Sequence, residues 1–286
     1  MNEIVDFIQK QSLKLFQKKF TKKYIKKRIL PIIIHLEKSE RKKILIGGSQ
    51  GIGKSGLIII IKKTLEKFFN KNVLALSLDN YYLSKNERNI ISKKEHDLLL
   101  TRGVPGTHNI KKLIKDIKKF ENNEYPISIP LFDKLIDDRL NKYHKVFKKC
   151  DLLILEGWCC GCRNIDKNYL FKNINTLEKK FDKNYTWRKF YNNKLKNEYK
   201  SLFNLFDETI FLKAPSFKYI LGWRIKQEKN NYSNFNNSKK MNTKEIKLFI
   251  QHYEKITKWM LKNNNNSSDV VLKINKNQII QSISIN

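Results

Sequence analysis

Residues Gly48-Ser49-Gln50-Gly51-Ile52-Gly53-Lys54-Ser55 have the spacing G-x-x-x-x-G-K-[ST]. Glycines at this spacing let backbone N–H groups turn inward and approach phosphate oxygens. A helix starting at Lys54 would add free N–H donors and the positive end of its dipole. Lys54 then supplies a point charge to the outer phosphates, and the Ser55 hydroxyl is a ligand for Mg²⁺. An apolar strand pattern, Lys43–Gly47, precedes the loop and a helical pattern over 54–69 follows it. Strand, loop and helix in that order are the context in which the motif cradles a nucleoside triphosphate. The predicted cradle runs from Gly48 through Gly56.

Two carboxylates stand where predicted strands end: Asp79 after Val73–Leu78, and Glu156 after Cys150–Leu155. Acids at the C-terminal ends of strands open into the crevice where α/β sheets bind ligands. One can accept a proton from an attacking hydroxyl, and the other can hold Mg²⁺ directly or through water. Arg102 and His108 bracket the Gly/Pro-rich turn Arg102-Gly103-Val104-Pro105-Gly106-Thr107-His108, which suits a clamp on a small anion. Phe132-Asp133-Lys134 and Asp137-Asp138-Arg139 form a further polar cluster, with Lys134 its best ligand candidate. Cys150, Cys159, Cys160 and Cys162 lack the second pair or histidines of a zinc site, and read as reduced thiols.

These residues need a scaffold that gathers strand ends along one edge. The pattern predicts helices over 1–40 with a break at Pro31, then strands and helices in alternation to Val270–Ile274, with helices over 110–120, 187–206, 217–227 and 244–261. Such alternation points to an α/β fold: a parallel sheet with helices on both faces. Residues 80–109 form a long polar connection in which short helices are expected, and 230–242 are rich in Asn, Ser and Lys. We expect an N-terminal helical segment over 1–40 and one domain over 41–286.

The chain has 286 residues with 59 Lys and Arg against 27 Asp and Glu, a formal charge of +32. That excess raises nucleic acid as a partner. It is diffuse, however, and carried by 51 Lys and only eight Arg, whereas nucleic-acid surfaces favour the arginine fork. A solvated lysine-rich surface is the expectation, with no specific nucleic acid bound. In such a chain the remaining arginines should include positions where an ammonium cannot replace a planar fork. No apolar run is long enough for a bilayer, and Glu3 and Asp6 precede any apolar block, so neither a membrane anchor nor a signal peptide is expected. A cytoplasmic protein is expected.

The stretches GGSQGIGKS, LDNYYL, RGVPGTHN, PLFDKLIDDR, LILEGWCCGCR and APSFKYILGWRIKQE, in this order, resemble the P-loop D-glycerate 3-kinase family, relatives of uridine kinase and phosphoribulokinase. The resemblance spans about residues 43–262. It implies a P-loop kinase fold, ATP and Mg²⁺ as cofactors, and phosphorylation of D-glycerate to 3-phosphoglycerate. It further implies that Asp79 is the base, that Arg102, His108 and Lys134 lie on the acceptor side, and that Arg224 and Gln227 belong to a mobile lid at about 222–243. Lys54, Asp79, Glu156 and Arg224 are the expected catalytic set, with Ser55 and Glu156 at the metal. The chain departs from the pattern at Asn80, Gly56 and Asn109, where a second Asp, a hydroxyl residue and an Asp are common. Other readings are a nucleoside or pantothenate-type kinase, an ATP-dependent nucleic-acid-binding protein, and a non-catalytic nucleotide-binding regulator.

Overall fold

The computed structural model describes residues 1–231 and 242–286, without the side chains of 227–231. The described residues include eight strands: β1 (Lys43–Gly48), β2 (Val73–Ser77), β3 (Ile127–Asp133), β4 (Asp138–Val146), β5 (Leu152–Gly157), β6 (Glu208–Lys213), β7 (Val270–Ile274) and β8 (Ile280–Ile285). Six of them form one sheet in the order β2-β5-β1-β6-β7-β8. All neighbours in it are parallel except β8, which returns antiparallel beside β7. β3 and β4 make a separate antiparallel hairpin.

Side chains of a strand alternate between its two faces, and the core divides accordingly. Leu45 of β1, Leu153 and Leu155 of β5 and Phe211 of β6 enter one apolar layer. Ile44 and Ile46, Leu152 and Ile154, and Ile210 and Leu212 enter the other. Both faces are covered, so the central strands read as unbroken apolar runs.

The helix Lys54–Phe68 covers the second face with Leu57, Ile58, Ile60, Ile61 and Leu65. The N-terminal helices join the same layer through Val5, Ile8, Ile25, Ile29 and Ile33. Pro31 does not break the chain there. It sits in the first turn of the helix Leu30–Lys38, after a π-turn over Ile25–Ile29, where a missing N–H costs little.

Two elements differ from the sequence reading. The β3–β4 hairpin was not expected, and neither was β8. The long polar connection contains a full helix, Lys85–Lys94, started by a capping box in which Ser84 and Glu87 bond each other's backbone N–H. No helix of the described residues is long and apolar enough to cross a membrane.

Candidate active site

β1 runs directly into the glycine loop, and the helix Lys54–Phe68 leaves it from Gly53, whose φ is 101°. Gly48 and Gly51 also have positive φ, which side-chain-bearing residues rarely adopt. A Cβ on Gly47 would lie 2.2 Å from the Cys160 carbonyl oxygen, so the turn after β5 packs against the start of the loop. Lys54 is buried and donates to the carbonyls of Gly48 at 2.8 Å and Ser49 at 3.1 Å. Its ammonium therefore spans the mouth of the cradle.

Sheet register brings in the second group. Glu156 of β5 is opposite Ile46 on one side and Ser77 on the other. Its Oε1 accepts from Ser55 Oγ at 3.0 Å and from Ser77 Oγ at 2.9 Å, and its Oε2 lies 4.0 Å from Lys54 Nζ. A hydroxyl and a carboxylate converging beside the phosphate cradle are oxygen donors of the kind Mg²⁺ takes alongside phosphate oxygens. The buried Ser49 hydroxyl and Gln50 amide have no hydrogen-bond partner among the described residues. Unpartnered polar atoms at this position fit a ligand rich in acceptors and donors. Among the described residues no group of three His, Cys, Asp or Glu could hold a metal by itself. A Mg²⁺ ion here would accordingly rely on Ser55, Glu156 and the nucleotide.

Asp79 is not the last residue of its strand. β2 ends at Ser77, and Asp79 sits in a single 3₁₀ turn, Leu78–Tyr81. Lys134 Nζ, from the tip of the β3–β4 hairpin, donates to Asp79 Oδ2. Burial alone would push the Asp79 carboxyl up. The Lys134 ammonium, with lesser help from Lys54, more than reverses this and holds it well below the usual carboxylate range.

The Arg102–His108 turn is pinned to the segment after β2. Leu83 N–H donates to Thr107 O at 2.9 Å, Asn109 N–H to Tyr81 O at 2.7 Å, and Tyr82 and His108 form a bridge. Within the turn, Gly103 has a φ of 138°, and a Cβ there would lie 2.3 Å from the Tyr253 hydroxyl. Trp158 Nε1 donates to Gly103 O at 3.0 Å.

A cleft of about 780 Å³ joins these parts. Lys54, Ser55, Asp79, Arg102, Lys134, Glu156 and Arg224 all line it. His108 does not. It is buried behind Tyr82, stacked on that ring at 4.4 Å, with Nδ1 2.5 Å from the Tyr199 hydroxyl. Burial pushes its pKa down to about 3, which keeps the ring neutral. The expectation that His108 touches the acceptor is thus corrected to a place in the wall behind it.

Arg102 is in the cleft but already engaged: its Nη1 donates to Asp137 Oδ1. Its guanidinium lies 5.6 Å from the Phe132 ring centre and 5.9 Å from that of Phe249. Arg224, on the helix Phe217–Asn231, lies 5.8 Å from the Phe249 ring centre. Gln227 and most of the expected lid at 222–243 lie outside the described side chains.

Gly56 is covered from an unexpected direction. A Cβ there would lie 2.4 Å from the ring of Phe16, at the end of the N-terminal helix Asn2–Phe16. Ile52 turns its side chain into the core, so only its backbone faces the cradle. All four cysteines are buried and unbridged. Burial raises the thiols of Cys159, Cys160 and Cys162, which excludes a reactive thiolate at the loop after Glu156. Tyr82 of the LDNYYL stretch and Lys85, which no motif singled out, also line the cleft.

No protein-family model matches the chain. It is 28% identical to "Uncharacterized kinase mug58" of Schizosaccharomyces pombe over 239 residues, 79% of this chain and 84% of that protein. It is 29% identical to "Probable ATP-dependent kinase TDA10" of Saccharomyces cerevisiae over 231 residues, 73% of this chain and 74% of that protein. Among solved structures it is similar to a D-glycerate 3-kinase from Cryptococcus neoformans, with a TM-score of 0.71 at 20% identity, covering 90% of this chain and 96% of that one. The fold is that of the P-loop kinases.

Proposed function

We propose that the chain is an ATP-dependent small-molecule kinase that phosphorylates D-glycerate to 3-phosphoglycerate. The observation that carries this reading is one cleft in which a phosphate cradle, Lys54 with Ser55 and Glu156, faces Asp79 and the cations Arg102 and Lys134. The two kinase relatives and the shared fold support the reaction class. The small anionic acceptor is supported by Arg102 and Lys134 at that end of the cleft.

ATP lies with its phosphates on the backbone N–H groups of Gly48–Gly56. Lys54 exchanges the loop carbonyls for the outer phosphates. Mg²⁺ held by Ser55, with Glu156 beside it, would neutralise charge on the phosphate oxygens. Asp79 stays ionised because of Lys134, accepts the hydrogen bond of the acceptor hydroxyl, and takes its proton as the acceptor oxygen bonds to the γ-phosphorus and the bond from that phosphorus to the β–γ bridging oxygen breaks, releasing ADP. Lys54 and Arg224 stabilise charge that spreads over the transferring phosphoryl group. Arg102 holds the acceptor carboxylate.

The test is ATP with D-glycerate, uridine and pantothenate in parallel, with the phosphorylated product identified by mass. D-Glycerate alone should be consumed. Phosphorylated uridine or pantothenate would replace the acceptor, and ATP binding without ADP release in the presence of any acceptor would leave a non-catalytic nucleotide-binding regulator.

A further inference from the structure

The glycine loop borders a second cavity. Its residues Gln50, Gly51, Lys54 and Ser55 line the cleft described above, whereas Ile52 and Gly53 line a separate space of about 540 Å³. The two share no lining residue, but the helix Phe217–Asn231 serves both, with Arg224 in the cleft and Trp223 in the cavity. The turn between β7 and β8 is bound to the same loop and helix. Gln278 Nε2 donates to Gly51 O, and Trp223 Nε1 donates to Lys276 O at 3.1 Å.

The N-terminal segment supplies an aromatic wall. The helix Asn2–Phe16 ends where Gln17 turns the chain through a left-handed residue, with a φ of 53°. After that turn Phe20 stacks on Phe16 with ring centres 5.4 Å apart, and Tyr24 packs edge-to-face on Phe20 at 5.0 Å. The Tyr24 hydroxyl accepts from Ile280 N–H at 3.0 Å, which ties the row of rings to the start of β8. Phe16 heads the row. Its ring lies 3.7 Å from where a Cβ on Gly53 would be, and it fills the room of a side chain at Gly56. It is only partly buried, and it lines the cavity.

The chemistry of the lining is mixed in one particular way. Rings and aliphatic side chains make most of it, Lys18, Lys226 and Lys276 contribute the charge, and no carboxylate takes part among the described residues. Such a lining suits a flat, uncharged ring carried on an anionic chain. A nucleotide whose outer phosphate points toward Asp79 must lead its nucleoside away from Asp79, and the cavity beyond Gly53 holds none of the acceptor-end residues. We propose that this cavity takes the base of the nucleotide and that Phe16 is the ring on which the base packs. The N-terminal helix is then part of the nucleotide site. The proposal rests on the nucleotide half of the kinase reading above and is independent of the acceptor.

Calorimetric titration with ATP and, separately, with inorganic tripolyphosphate, both in the presence of Mg²⁺, tests this without any acceptor, because tripolyphosphate has the phosphates and no base. Phe16→Leu keeps apolar bulk against Gly56 and removes the ring. It should weaken ATP binding at least about fivefold, the low end of what a base–aromatic contact contributes, and leave tripolyphosphate within about twofold of wild type. Phe16→Tyr, which restores a ring, should bind both ligands as the wild type does. Equal weakening of the two ligands makes Phe16 a mere support of the loop and overturns the proposal, as does a Leu variant that loses neither. The wild type gives a second readout should Phe16→Leu fail to fold. Trp223 lines the same cavity, so ATP but not tripolyphosphate should produce a tryptophan fluorescence change that Trp223→Phe removes. Identical responses to the two ligands count against a base in the cavity. A wild type that binds tripolyphosphate but not ATP keeps the phosphate cradle and overturns this proposal alone, whereas one that binds neither overturns the nucleotide reading and the proposal with it.

Discussion

Lys134 donates to the Asp79 carboxylate across the acceptor end of the cleft, joining the hairpin tip to the turn after β2. The two residues are far apart in sequence, and the pair fixes the ionisation of the proposed base. Asp79 is depressed below its ordinary value, so it stays ionised until the pH falls through that lowered value. Replacing Lys134 by Met removes the largest lowering influence and leaves burial to raise the carboxyl. Wild-type kcat/KM for D-glycerate should show no loss from Asp79 between about pH 7 and pH 5, whereas the Lys134→Met variant should lose activity as pH falls across that interval. A variant whose acid limb coincides with that of the wild type would show that Lys134 does not control Asp79.

Lys54 and Asp79 should fail differently. Lys54→Ala removes the ammonium that spans the cradle between the Gly48 and Ser49 carbonyls. It should weaken ATP binding and abolish turnover together. Asp79→Asn leaves the cradle intact and should keep ATP affinity while lowering kcat by roughly 10²–10⁴. Titration with a fluorescent ATP analogue and steady-state rates separate the two. If kcat of Asp79→Asn stays within about threefold of wild type, Asp79 is not the base.

Gly56 offers a test of the N-terminal helix. In an open helix, replacing Gly by a residue with a Cβ gains up to about 1 kcal/mol. Here the new Cβ would lie 2.4 Å from the Phe16 ring, so the sign reverses. Gly56→Thr should destabilise the fold by roughly 1–3 kcal/mol, the usual cost of overpacking. Combined with Phe16→Ala, it should recover much of that loss, giving a coupling of at least about 1 kcal/mol in a thermal-unfolding cycle. Additive effects would mean that Phe16 moves aside without cost.

The glycine loop, Glu156 and the near-terminal position of Asp79 were legible because their placement is local: a strand, a loop and a helix dictate it. Long-range partners were not. Ser77 meets Glu156 only through the β2–β5 register. Phe16 reaches Gly56 across two intervening helices. The β3–β4 hairpin gave no clear alternation, because Pro130 interrupts β3 and most of β4 is exposed. Scarcity of arginine was a useful signal, but an ambiguous one. Arg102 does line the cleft, whereas Arg88 and Arg188 use their forks on the protein's own carboxylates, the partly exposed Asp137 for the first and the buried Asp182 and Glu178 for the second. A sequence shows where a fork is needed without showing whether its partner is a ligand or the protein. His108 was misplaced for a related reason: a histidine beside a glycine turn looks like a clamp until Tyr82 is seen to stand in front of it.

Arg102 carries the most specific expectation about the acceptor. Its guanidinium is held from three sides, by Asp137 at Nη1 and by the rings of Phe132 and Phe249. Its backbone carbonyl accepts from the Tyr253 hydroxyl at 2.8 Å, which fixes the start of the side chain as well. A planar fork in this slot can bond Asp137 with one nitrogen and present others to a carboxylate in the cleft. A lysine keeps the charge but has one nitrogen to share between Asp137 and the acceptor, and no flat face to lay between the two rings. Arg102→Lys should therefore raise the KM for D-glycerate at least about tenfold, on the order of 1.4 kcal/mol, while the KM for ATP barely moves. The methyl ester of D-glycerate, which lacks the anionic carboxylate, should be a much poorer substrate for the wild type. It should lose little more in the variant, because the interaction is already gone. If the KM for ATP rises in step with that for D-glycerate, Arg102 belongs to the nucleotide end of the cleft, and the acceptor carboxylate must be held by Lys85 or Lys134 instead.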